Sequence, residues 1–192
     1  MRTQRAWRDI SYLQDGTERQ RSAFANLQAS GVLERLRSFD AVLVSTVCLD
    51  IDIESSDLDI ICEVRDLELF ATFLTSAFGS FWGFGVHRSA SKEPAVVAQF
   101  FFGEWEYEVF GQRLPVARQN AFRHLIQIDR VLSCGGARWR EAIRGLKRSG
   151  MKTEPAVAQA VGLSGDPYQA VLSLEALTDD ELRARMRLGP CA

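Results

Sequence analysis

Hydrophobic positions follow two regimes that meet at Pro115. Before it, short alternating or wholly apolar runs dominate. Residues 41–46 open with Ala41, Val42, Leu43 and Val44, a buried-strand pattern running into Ser45-Thr46. Residues 57–64 alternate: Leu58, Ile60, Cys62 and Val64 fall on one face, Asp57, Asp59, Ile61 and Glu63 on the other. Residues 95–102 are apolar on both faces and predict a central strand. Gly103 makes a turn, and residues 104–110 alternate strictly, with Glu104, Glu106 and Glu108 on one face. Residues 81–89 predict one more strand; Gly83-Phe84-Gly85 within it reads as an irregularity, since no helix follows to make a phosphate loop. A helix over 18–38, broken near Gly31, turns Phe24, Leu27, Leu33 and Leu36 inward. Asp66 is placed to cap another, in which Leu67, Phe70, Leu74 and Phe78 recur at helical spacing.

Beyond Pro115 the period is helical. Helices are expected over 116–134, ended by Gly135-Gly136, and over 137–148, ended by Gly150. Two shorter ones follow near 155–163 and 166–174, and a last begins at the cap Thr178-Asp179-Asp180-Glu181. Leu163, Tyr168, Val171, Leu172, Leu174 and Leu177 would form a small core there. The expected class is α+β: a core over 1–114 and an all-helical C-terminal lobe over 115–192.

Composition narrows the function classes. A chain of 192 residues, 46% hydrophobic, builds one domain or a core with a small appendage. No apolar run approaches a membrane span, and Met1 to Asp9 lack an apolar signal region, so a cytoplasmic protein without a membrane partner is expected. Cys48, Cys62, Cys134 and Cys191 lack paired spacing, which argues against a zinc site or a disulfide framework. His87 and His124 are the only histidines, which excludes a histidine-rich metal site. The net charge of −2 conceals a segregation: 13 acids against 3 bases (Arg65, Arg88, Lys92) from Asp40 to Glu108, and 10 bases against 2 acids (Asp129, Glu141) from Arg113 to Lys152. An acidic metal-holding sheet facing a basic phosphate-gripping lobe would produce this, and so would two solvated surfaces bridged by ion pairs.

Asp57 and Asp59 carry the sharpest chemical signal. Aspartate is depleted in strands, and two on one face repel unless positive charge sits over them. Mg²⁺ is the usual remedy, because it takes carboxylate oxygens and keeps positions for substrate phosphates. The plainer alternative is the exposed start of an edge strand after a Ser-Ser turn.

A strand, a small-residue turn, a spacer of about a dozen residues and then Asp-x-Asp on the next strand resembles the signature of the nucleotidyltransferase superfamily, which includes DNA polymerase beta and the kanamycin-type and minimal bacterial nucleotidyltransferases. Asp57 and Asp59 match it, and Ser45-Thr46 match the turn by position, with Ser45 where the signature has glycine. From about Leu27 to about Leu174 the chain is similar to a bacterial nucleotidyltransferase-like branch with no established substrate; the run from Tyr107 to Gln112, Pro115, and the stretch from Gln119 to His124 carry that likeness.

The resemblance implies a small mixed β-sheet core with flanking helices, and a helical lobe that closes the nucleotide cleft and helps choose the acceptor. It implies a third acid beside the aspartates, for which Glu108 is chosen with Glu106 as substitute. Asp57, Asp59 and Glu108 would hold one or two Mg²⁺ (or Mn²⁺) ions while an NMP passes from an NTP to a hydroxyl-bearing acceptor: a small molecule, a protein or an RNA end. Ser45, Thr46 and Ser56 are placed for β- and γ-phosphate oxygens, and Arg123, Arg130, Arg138 and Arg144 for clamping phosphate. Gln119, Asn120 and Arg123 lie within about a turn of one helix and could read a base or acceptor; Asn120 could equally cap or tie that helix. His124 reads as structural. Asp50, Asp52 and Glu54 lie in the spacer loop, where a turn role is the default and Asp52 alone merits testing. Two alternatives stand beside the enzyme: a degenerate nucleotidyltransferase that binds nucleotide or a partner, and an RNA-binding module built on the basic helix from Arg138 to Arg144.

Overall fold

The computed structural model describes residues 6–89, 93–187 and 189–190. The opening residues 1–5, Lys92 and Cys191, used in the readings above, lie outside the described residues. Two compact units emerge: residues up to Cys48 with Ser56–Gln119, and Leu49–Ser55 with the chain from Asn120 onward.

The first unit is built on a five-stranded mixed sheet. Its strands are β1 (Val42–Leu43), β2 (Leu58–Glu63), β3 (Trp82–Ser89), β4 (Ala95–Phe102) and β5 (Trp105–Gln112), in the order β1-β2-β5-β4-β3. Only β2 and β5 run parallel; the other neighbours are antiparallel. One face carries Leu58, Ile60, Cys62, Val96, Ala98, Phe100, Tyr107 and Val109, all buried. Helices α1 (Glu18–Ser30) and α3 (Leu67–Phe78), with the short α2 (Val32–Arg35) between them in sequence, belong to this unit. The rings of Phe78, Phe100 and Tyr107 stack at 5.0 and 5.1 Å.

Most predicted elements form where their patterns put them, and each shift has a local cause. Gly31 breaks the first helix at φ 64°, a left-handed conformation that glycine adopts without a Cβ penalty. The buried face of α1 is Gln20, Ala23, Leu27 and Ser30, whereas Phe24 and Leu33 are only half-buried. Gln20 turns inward because its Nε2 donates to the Val47 carbonyl at 2.8 Å, while its Oε1 accepts from the Thr17 backbone N–H in a capping box. Asp66 caps α3, accepting from the N–H groups of Glu68 and Leu69. The strand expected over 41–46 stops at Leu43, and Thr46–Leu49 forms a 3-10 turn.

The second unit comprises α4 (Asn120–Gly135), α5 (Ala137–Arg148), α6 (Thr153–Val161), α7 (Pro167–Ser173) and α8 (Asp179–Arg185). The helix expected from Val116 begins only at Asn120, because Gln119 is extended, with ψ 137°. The Gln119 side chain donates to the carbonyls of Cys62 and Leu114, both at 2.9 Å, which holds the chain in that bend. Asp166 and Thr178 cap α7 and α8. Val171, Leu172 and Leu174 are buried as expected, but Tyr168 is exposed. Among the described residues no helix is long and apolar enough to cross a membrane.

Two outcomes test this packing. A Cβ on Gly111 of β5 would lie 2.2 Å from the Phe70 ring and 2.8 Å from a Val64 methyl. Gly111→Ala should therefore destabilise the protein by roughly 1–3 kcal/mol through overpacking, read by chemical denaturation. Burial pushes the Tyr107 hydroxyl up to about 12, against a smaller opposing effect of its Ser30 hydrogen bond. A pKa raised on folding favours the neutral form, so this contribution is intact below pH 10 and fades as pH rises toward 12. Two pH units correspond to roughly 2–3 kcal/mol, and Tyr107→Phe should remove that part of the alkaline loss of stability.

Candidate active site

The parallel register of β2 on β5 sets Asp59 level with Glu108, directly across one strand spacing. Side chains at paired positions share a sheet face, so the two carboxylates project from the same side. Asp57 stands one residue before β2, and continuing the strand's alternation carries it to that side. Continuing the register one step beyond the Leu58–Tyr107 pair puts it level with Glu106. Glu106 and Glu108 thus share the face of the aspartates, with Glu108 beside Asp59 and half-buried, and Glu106 exposed. Glu104 departs from the row: it sits in the turn before β5 and accepts the Ser22 hydroxyl at 2.8 Å. Gln99, paired with Glu108 across β4, donates from Nε2 to Glu108 Oε2 at 3.1 Å and so orients that carboxylate.

The turn before β2 is fastened to the first aspartate. Ser45 is fully buried and its hydroxyl donates to the Asp57 carbonyl at 2.5 Å. The Val47 N–H reaches back to Ser45 Oγ at 3.4 Å, and the Val44 N–H donates to the Asp59 carbonyl at 2.8 Å. Serine in the glycine position therefore acts as a positioning residue for Asp57, with its hydroxyl turned inward. Thr46 and Ser56 bring their hydroxyls to 3.3 Å of each other at the same turn. Arg19, which sequence reasoning missed, donates from Nη2 to the Ser56 carbonyl at 3.3 Å and lies 4.0 Å from the centre of the Trp105 ring. Nothing in the local pattern around Arg19 marks it, because tertiary folding alone brings it to the turn.

Asp57, Asp59 and Glu108 offer hard oxygen donors of the type Mg²⁺ or Mn²⁺ takes. Among the described residues no three His, Cys, Asp or Glu side chains are gathered into a ligand cluster. The donor chemistry fits a divalent ion that relies on phosphate oxygens for part of its shell.

The residues expected to bind nucleotide from the helical lobe are engaged locally. Gln119 is fully buried and its amide N–H groups are bound as described above, leaving Oε1 without a hydrogen-bond partner. The guanidinium fork of Arg123 meets Glu175 through Nε–Oε1 at 2.9 Å and Nη2–Oε2 at 2.8 Å, and its Nη1 donates to Asn120 Oδ1 at 3.0 Å. The Arg123 hydrogen bond holds the Glu175 carboxyl below its ordinary range. Arg130 is buried and donates to Asp179, Gln127 and the carbonyls of Leu174 and Leu177. Arg144 pairs with Asp50 of the spacer segment, Lys147 donates to the Ile51 carbonyl at 3.0 Å, and Arg148 reaches Glu54. Arg138 is exposed, and Asp52 is buried. His124 is buried between Glu154, 3.2 Å from Nδ1, and the Tyr168 carbonyl, 3.0 Å from Nε2, the structural role expected of it.

A family model described as a domain of unknown function, DUF4269, matches residues 25–174. The chain belongs to the DUF4269 family. No curated protein matches it in sequence. Among solved structures, that of the GLD-2/RNP-8 complex is similar with a TM-score of 0.52 and 14% identity, over 79% of this chain and 62% of that one. Cid1, described with an RNA terminal uridylyl transferase activity, gives 0.49 and 14%, over 84% and 52%. Cid1 described as a poly(U) polymerase, with MgGTP bound, gives 0.47 and 14%, over 80% and 47%. The chain thus spans about half to three fifths of the solved chains it matches. Its mixed sheet and helical C-terminal region are similar to nucleotidyltransferase folds.

The Arg123 pair gives a direct measurement. Arg123→Ala and Glu175→Gln should each lower stability by about 1 kcal/mol, discounted for partial exposure, and the double variant should lose less than the sum. If the wild type binds NTP, the folded variants should bind it equally well; a loss would instead assign Arg123 to a phosphate contact.

Proposed function

We propose that this DUF4269 protein is a metal-dependent nucleotidyltransferase that moves an NMP group from an NTP to an acceptor hydroxyl. The parallel β2–β5 register, which sets Asp59 beside Glu108 with Asp57 on the same face, is the observation that supports this reading. Asp57, Asp59 and Glu108 are the residues that would hold Mg²⁺ or Mn²⁺. When bound, such an ion neutralises charge on the α-phosphate and lowers the pKa of the acceptor hydroxyl.

The chain's own part is positional and electrostatic. Strands β2 and β5 keep two carboxylates level, Gln99 fixes the rotamer of Glu108, and Ser45 fixes the backbone of Asp57. Thr46, Ser56 and Arg19 are the groups we assign to the outer phosphates, since they converge on the turn that precedes Asp57. Ser45 and Gln119 we assign to positioning because both are fully buried, and Asn120 and Arg123 because the Arg123 guanidinium is held by Asn120 and by both carboxylate oxygens of Glu175.

The test offers each of the four NTPs with Mg²⁺ or Mn²⁺ and reads pyrophosphate release together with NTP binding. Asp59→Asn and Glu108→Gln should each reduce release by about 100-fold or more while melting near the wild-type temperature. NTP binding without release, unchanged by either variant, would identify a nucleotide-binding module; absence of NTP binding would end the nucleotide reading altogether.

A further inference from the structure

Strand β3 contains a parity reversal that its own packing does not require. Gly85, His87 and Ser89 pair with Gln99, Val97 and Ala95 and lie on the carboxylate face; Val86 and Arg88 pair with Ala98 and Val96 on the opposite face. Strict alternation would place Trp82 with Val86 and Arg88. Instead the register shifts between Trp82 and Gly85, and Trp82 pairs with Phe101, so that Gly83 and Phe84 together stand against Phe100. This bulge adds one residue and turns Trp82 onto the carboxylate face. Gly83 makes it possible: its φ is 69°, and a Cβ there would sit 3.1 Å from the Phe101 ring. Phe84 remains on the other side, 6.4 Å from Phe100.

The result is an indole that is 75% exposed, resting 4.8 Å from the Phe101 ring, whereas Trp7, Trp105 and Trp139 are buried. Its row continues through Phe101 to Glu106 and, by continuation of the β2–β5 register, to Asp57. The adjoining row is Gly85, Gln99, Glu108 and Asp59, and no atom lies within 4 Å of where a Gly85 Cβ would stand. Trp82 therefore looks along an open stretch of sheet toward the aspartates, three strand spacings or roughly 14 Å away. The acids that the described strands carry on this side are Glu63 and Asp59 of β2 with Glu106 and Glu108 of β5, and Asp57 just before β2; the arginine of β3, Arg88, points to the other face and pairs with Glu68. Beside the indole, and outside the set assigned to the metal, the acid is the exposed Glu106, so a cation there is attracted by the indole face and by that carboxylate, and a phosphate backbone gains nothing from either.

We propose that Trp82 is an acceptor-binding platform that takes a cationic group of a hydroxyl-bearing small molecule by cation–π contact, with Glu106 as the counter-charge. The word acceptor rests on the nucleotidyl-transfer reading; the cation site does not. Calorimetric titration with choline, with its uncharged isostere 3,3-dimethylbutan-1-ol, and with oligouridylate separates the possible occupants. Choline should bind saturably and about tenfold more tightly than the neutral alcohol. Trp82→Ala should abolish that preference, Trp82→Phe should retain part of it, and Glu106→Gln should weaken it and reduce its dependence on salt. Because Trp82 is exposed, the variants should melt as wild type does. Equal affinity for choline and the alcohol, choline binding indifferent to Trp82→Ala, or Trp82-dependent binding of oligouridylate in preference to choline would each overturn the proposal. Pyrophosphate release by the wild type is a separate readout: its absence removes the transfer reading and leaves the cation site to stand or fall on the titrations.

Discussion

The parallel pairing of β2 with β5 is the constraint on which the candidate site depends. Leu58, Ile60, Tyr107 and Val109 are buried on the face that carries them, and a slip of one residue in either strand would exchange that set for the acidic one. Burying carboxylates in place of leucine, isoleucine and tyrosine is costly, so the apolar face locks the register. The carboxylates do not need to attract anything in order to be brought level. They are carried there by the packing of the residues between them. Strand β5 also lies between β2 and β4, which lets Gln99 reach Glu108 from the other side.

Departure from glycine at Ser45 has a physical consequence opposite to a simple loss. The hydroxyl turns inward and ties the turn to the Asp57 carbonyl. Gln20 does the same for the next turn through Val47. The backbone around the aspartates is therefore tied down, and the half-buried groups at the turn are Thr46, Ser56 and Arg19, whereas Ser45 is fully buried.

The charge segregation resolves differently in its two halves. Basic residues of the helical unit are largely matched within that unit: Arg123 by Glu175, Arg130 by Asp179, and Arg144 by Asp50. Three of these acids lie outside the stretches compared in sequence or at the far end of the acidic one, which is why the count suggested an unmatched basic surface. Acids of the sheet are set by strand register instead. Glu106 is exposed, and Asp59 and Glu108 lie level across one strand spacing, so like charges are gathered by the register and not by ion pairing.

Local sequence determined most of the elements of this chain, though not where β1 ends or α4 begins. Alternation gave β2 and β5 their faces, side-chain acceptors gave Asp66 and Thr178 their capping roles, and backbone freedom or restriction made Gly31 and Pro115 breaks, each of which depends on neighbours within a few residues. Asp57 and Asp59 stood out as candidates for the same reason: two acids on one strand face are a local anomaly. What the pattern could not reach was anything set by partners distant in sequence. Arg19 meets Ser56, Gln119 meets Cys62, and Arg123 meets Glu175 only after folding, and no local rule distinguishes a guanidinium that binds phosphate from one that binds a carboxylate. Trp82 shows the limit most clearly. Gly83-Phe84-Gly85 could be seen as an irregularity, but whether an extra residue sends the indole to one face or the other is decided by its register against Phe101, and register is a property of the assembled sheet.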